Sequence, residues 1–74
     1  MKENIYYVYL HRKASDGEIF YVGKGKGQRA YSKQRRNPFW HNIVDKHGFV
    51  VDFLVEEVNE ELAFVIETDM ILSL

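Results

Sequence analysis

The chain has 74 residues, enough for one domain and no more. It has no cysteine, which excludes disulfides, thiolate zinc sites and thiol nucleophiles, and no apolar run approaches the ~20 residues of a membrane-spanning helix. The net charge of −1 hides an asymmetry: residues 19–44 carry six basic groups and no acid, whereas residues 45–74 carry eight acids and one lysine.

A chain of this size buries only about 60% of its unfolded surface. Its core has to come from ordinary apolar packing, for which an aromatic content of 15% is generous. His11, His41 and His47 lack the paired spacing of a histidine zinc site. The expectation is one domain over residues 1–74, soluble and cytoplasmic, with no membrane association. The charge asymmetry fits either nucleic-acid contact or a basic and an acidic element complementing each other within the domain.

IYYVYLHR, residues 5–12, is rich in β-branched and aromatic side chains and reads as a strand. Period two puts Ile5, Tyr7, Tyr9 and His11 on one face and Tyr6, Val8, Leu10 and Arg12 on the other. Turn chemistry follows at Ala14-Ser15-Asp16-Gly17, then a second strand from Glu18 to Gly23, so the pair forms a hairpin. In register, it puts Tyr9 and Tyr21 on one face.

Gly23-Lys24-Gly25-Lys26-Gly27 is expected to break the strand. Gln28 to about Arg36 then reads as a short helix with Arg29, Lys33 and Arg36 on one side. Asn37-Pro38 starts a second helix, with Asn as cap and Pro at the first helical position, carrying Phe39, Trp40, Ile43 and Val44 to a stop at Gly48. Phe49–Val58 is a third strand, and Asn59 followed by Glu60 and Glu61 opens a last helix. The predicted class is α+β: a small three-stranded antiparallel sheet flanked by helices, in the order ββααβα.

In the last helix the apolar arc centres on Ala63, Ile66, Met70 and Leu74, and Glu67 falls inside it. A carboxylate on a packed face has to be paired, metal-bound or protonated. Glu67 is therefore either a structural ion pair with an arginine or a metal-binding or catalytic group. GKGKGQR matches neither the P-loop nor the dinucleotide fingerprint. Its alternating glycines permit close approach to an anion, and equally a plain strand-to-helix connection.

Taken together these residues resemble the GIY-YIG nuclease superfamily. The first signature stands here as Tyr7-Val8-Tyr9 and the second as Tyr21-Val22-Gly23, followed by Arg29, His47-Gly48 and Glu67. FYVGKGKGQRAY is most similar to the YVGKG-type branch, which includes the LEM-domain-associated branched-DNA nucleases and uncharacterised phage and bacterial members. The resemblance implies a metal-dependent endonuclease that hydrolyses DNA phosphodiester bonds, duplex or branched, with a single Mg²⁺ or Mn²⁺ held by Glu67. By the same resemblance Arg29 binds the scissile phosphate, Tyr9 acts as general base or orients the water with Tyr21 in support, and Lys24 assists as a cationic donor. Where many relatives carry a histidine four residues after the arginine this chain has Lys33, leaving His41 as the candidate substitute. Relatives usually continue past Ile71-Leu72-Ser73-Leu74, which implies either a fragment truncated at the C-terminus or a minimal protein whose apolar end docks on something, with DNA affinity supplied by a homodimer or an attached DNA-binding domain. The alternative is a catalytically silent nucleic-acid-binding or interaction module that retains the same fold.

Overall fold

In a computed structural model, which describes residues 3–73, the sheet comprises β1 (Tyr6–Lys13), β2 (Ile19–Gly25) and β3 (Phe49–Val58). The strand order is β2-β1-β3 and both pairings are antiparallel, so β1 is central. Two α-helices, α1 (Pro38–His47) and α2 (Glu60–Ser73), complete the α+β fold, with a single 3-10 turn at Arg29–Tyr31 between β2 and α1. The hairpin closes as the turn residues require: Gly17 takes φ +79° and donates its N–H to Lys13 O at 2.8 Å.

β1 separates two cores by side-chain alternation. Val8 and Leu10 face one side, where they bury Val22 of β2 and Ala63 of α2, with Ile66 and Met70 packed against them. Tyr7, Tyr9 and His11 face the other side, under the 3-10 turn and α1. The helices thus cover opposite faces of one sheet. This position explains why β1 is the most buried strand and why its two residue sets have such different chemistry.

α1 begins where Asn37-Pro38 predicts: the Asn37 Oδ1 accepts the Trp40 N–H at 2.8 Å. It ends at Gly48, whose φ of +68° favours glycine. Trp40 is buried, whereas Phe39, expected with the apolar set, is 67% exposed. Asn59 caps α2 through its Oδ1 and the Leu62 N–H, 2.8 Å apart. α2 is apolar around much of its circumference: Ala63 packs inward while Leu62, Phe64, Val65, Ile71 and Leu72 are exposed. Leu74, assigned by periodicity to the inward arc, lies outside the described residues.

Two boundaries differ from the sequence expectation. β2 continues past Gly23, because Lys24 and Gly25 still pair with Val8 and Tyr7. The helix expected over Gln28–Arg36 is only the 3-10 turn Arg29–Tyr31 followed by irregular chain, with Arg35 at φ +58°. Its carbonyls find partners other than helical N–H groups. Arg29 donates through Nη1 to Gln34 O (2.9 Å) and through Nη2 to Arg35 O (3.5 Å). Arg36 donates through Nε to Ser32 O (3.1 Å) and through Nη2 to Arg29 O (2.8 Å). Two guanidiniums therefore satisfy a loop that has too little apolar side chain to hold a helix against the sheet.

Candidate active site

The tyrosines of the two signature stretches meet on the α1 face of the sheet. Tyr9 pairs with Gly23 and Tyr21 with His11, so the two rings lie diagonally on one face, 6.1 Å between centroids. Gly23 is required by this approach: a Cβ there would sit 2.7 Å from both Cζ and Oη of Tyr9. Tyr7, on the same face, holds the glycine-rich connection instead. Its hydroxyl donates to Gly27 O (2.8 Å) and accepts the Ala30 N–H (2.9 Å).

Arg36 is the centre of the group. Its Nη1 donates to the Tyr9 hydroxyl oxygen at 2.9 Å, and its guanidinium carbon lies 5.0 Å from the Tyr21 ring centroid and 5.4 Å from that of Trp40. Arg36 is only 9% exposed, and among the described residues no carboxylate pairs with it. Aromatic faces, one hydroxyl and two backbone carbonyls solvate the charge. Burial raises the pKa of Tyr9 above its ordinary value of 10.0, an effect that the Arg36 hydrogen bond and charge oppose. Tyr9 is protonated at neutral pH.

His11 buttresses the floor of this group. The indole N–H of Trp40 can only donate, so His11 Nδ1, 3.0 Å away, must accept; Nε2 then carries the proton and donates to Ala30 O at 2.7 Å. Desolvation pushes the His11 pKa down to about 4, the nearby Arg36 and Arg29 charges adding to the shift and the Ala30 bond opposing it. The ring is a neutral strut joining β1 to the 3-10 turn and to α1.

The remaining candidates are distributed as follows. Arg29 follows the glycine connection on the tyrosine side, half-buried, and its Cβ and Cγ would meet any side chain added at Gly25. His41 is half-buried at the first turn of α1, its ring edge-on to Trp40 at 5.1 Å. Lys24 pairs with Val8, which puts it on the α2 face, where its Nζ meets Glu60 Oε2 at 3.2 Å and lies over the Tyr6 ring at 5.8 Å. Glu67 is also carried by α2, half-buried one turn after Ala63. Among the described residues no hydrogen bond or ion pair engages its carboxylate.

No family model, curated protein or solved structure matches the chain. The chemistry of the site therefore rests on its own residues. Tyr9, Tyr21, Arg29 and Arg36 form one group of hydroxyls and guanidiniums, while Lys24 of β2 and Glu67 of α2 lie toward the opposite face. Of the candidate residues, Glu67 is the one hard oxygen donor without a partner among the described residues. One such carboxylate fits an ion such as Mg²⁺, which keeps several waters and takes further oxygens from a phosphate substrate.

Arg36 is the residue that sequence reasoning missed. In the sequence it is one of six cations, spaced as if on a helix face with Arg29 and Lys33. The one available signal was its position directly before the Asn37-Pro38 cap, which ties it to the start of α1.

Proposed function

We propose that the chain is a metal-dependent endonuclease of GIY-YIG type that hydrolyses DNA phosphodiester bonds. The observation that supports this most is the convergence of both signature tyrosines with two guanidiniums on one sheet face, next to a segment holding six cations and no acid.

Phosphodiester hydrolysis needs an oriented water, positive charge against the developing phosphorane and help for the leaving oxygen. Arg29 spends two of its donors on Gln34 O and Arg35 O, which aims the guanidinium and leaves its others for a phosphate oxygen. Tyr21 retains exposed surface, whereas Tyr9 is 1% exposed and held protonated. Tyr21 therefore takes the water-orienting role, with Tyr9 behind it. Glu67 would hold the divalent cation, Mg²⁺ or Mn²⁺, from the α2 side, and that ion would supply charge compensation and a more acidic water. Lys24 contributes to the field on the α2 side, and His41 stands at the α1 margin of the site.

A second reading has its own support. α2, which carries Glu67, packs on the face opposite to Tyr9 and Tyr21. A fold that kept its basic face but not a complete metal-assisted centre would bind nucleic acid without cutting it.

Cleavage of supercoiled plasmid and of a labelled branched junction at low salt separates the two. The nuclease cuts with Mg²⁺ or Mn²⁺, stops with EDTA and is lost in both Arg29→Ala and Glu67→Ala. Salt-sensitive binding that survives EDTA, with no cleavage, establishes the silent binder instead. Wild-type activity in Glu67→Ala would remove the residue on which the metal-dependent reading depends.

A further inference from the structure

The Arg36 side chain makes more connections than the chemistry above assigns it. Its guanidinium reaches the Tyr9 hydroxyl (2.9 Å), Arg29 O (2.8 Å) and Ser32 O (3.1 Å), and lies against the rings of Tyr21 (5.0 Å) and Trp40 (5.4 Å). These groups come from four different parts of the site, Ser32 being the C-cap of the turn that carries Arg29. Tyr9 comes from β1, Tyr21 from β2, Arg29 from the 3-10 turn and Trp40 from α1. With 9% exposure, Arg36 lies behind these groups and offers a ligand almost no surface.

We propose that Arg36 is a positioning residue: one guanidinium fixes the Tyr9 hydroxyl, the Tyr21 ring and the backbone at Arg29 as a single unit, so that the two side chains meeting the phosphodiester are set by a residue that does not touch it. The proposal rests on the nuclease reading for its kinetic expression, and its structural core can be tested without it. Only arginine can perform the task. Lysine preserves the charge and the approach to the aromatic rings, but a single ammonium lacks the planar fork that reaches a hydroxyl and two carbonyls at once. Productive geometry is steep in distance, and a displacement of about 1 Å costs on the order of a hundredfold in rate.

The test is a double-mutant cycle on Arg36→Lys and Tyr9→Phe, read as kcat and KM for junction cleavage with folding checked by circular dichroism. Tyr9→Phe removes the hydroxyl acceptor and leaves the cation in place. Each variant is expected to lower kcat about tenfold or more with KM within about twofold, and the double variant to fall no further than the worse single. The salt slope of DNA binding stays at the wild-type value in Arg36→Lys and drops by about one in Arg29→Ala, because of these two arginines only Arg29 meets a phosphate.

A wild-type kcat in either single variant overturns the proposal, as do fully multiplicative losses. A raised KM with a reduced salt slope in Arg36→Lys also overturns it, since Arg36 would then be a direct phosphate ligand. If the wild type cuts nothing with either metal, the nuclease reading fails by itself. The positioning claim is then decided by NMR of the same proteins. Arg36→Lys is expected to shift the Tyr21 ring protons and the Arg29 Nε–H; unchanged signals for both overturn it.

Discussion

The Trp40 indole donates to His11 Nδ1 at 3.0 Å, and that bond fixes the protonation state of a fully buried histidine. With Nδ1 accepting and Nε2–H donating to Ala30 O, a second ring proton would break the Trp40 contact and bury a charge close to Arg36 and Arg29. The folded pKa of about 4 lies below the ordinary 6.5, so the unfolded chain binds the extra proton first as pH falls. The stability contributed by neutral His11 is fully present above pH 6.5. It is lost as pH falls from 6.5 through about 4, amounting to about 3 kcal/mol. Urea unfolding of wild type and His11→Gln at pH 7, 5.5 and 4 measures this. The variant is less stable at pH 7 and lacks the additional acid-side loss; parallel curves would contradict the assignment.

Gly23 and Tyr9 permit a sharper test of the site's packing. An alanine at position 23 puts its Cβ 2.7 Å from the Tyr9 hydroxyl and 2.9 Å from the Tyr21 ring, distances that side chains do not tolerate. Both rings are held in place by Arg36, so they cannot simply swing away. Overpacking of this kind costs about 1–3 kcal/mol. Gly23→Ala is expected to lower the unfolding midpoint accordingly and to change the near-ultraviolet tyrosine signal. Gly17→Ala, with nothing within 4 Å but a φ of +79°, loses stability from backbone strain while leaving that signal unchanged.

Much of this fold was legible because its local signals agree. Phe49–Val58 is a strand over the predicted span, and the cap residues Asn37 and Asn59 start the two α-helices where they should. The pleat alone put Tyr9 and Tyr21 on one face. The segment after the glycines departs from its expected helix because only charge spacing favours one there, while Arg29 and Arg36 turn back onto the carbonyls a helix would use. Lys24, expected in a loop beside the tyrosines, is a strand residue because pairing runs through Gly25, and this sends it to the other face. Arg36 was illegible for a different reason. Its partners lie 7 to 27 residues away in sequence where they are hydrogen-bonded through Nη1 and Nη2, and no local pattern encodes such a meeting.

The start of α1 should influence the site through a single cap. Asn37 Oδ1 accepts the N–H of Trp40, the residue whose indole reaches His11 and whose ring faces Arg36. Asn37→Ala is expected to cost about 1 kcal/mol, and Asn37→Asp or Asn37→Ser to recover most of it. Denaturant midpoints supply the comparison. An Asn37→Ala protein as stable as the wild type would mean that packing, not the cap, holds this end of the helix.

Glu67 distinguishes a structural from a functional carboxylate most directly. A buried ion pair that loses one partner is destabilised by about 3–5 kcal/mol, because the other charge is left behind. Glu67 has no partner among the described residues, and Gln has nearly its shape. Glu67→Gln is therefore expected to unfold within about 0.5 kcal/mol of the wild type, or slightly above it, since a half-buried charge has been removed. Salt-sensitive DNA binding without metal should also persist, because the cations of residues 24–36 are untouched. Metal-dependent cleavage should disappear. A marked fall in the unfolding midpoint together with unchanged cleavage would assign Glu67 to the framework of α2 and remove it as the metal ligand.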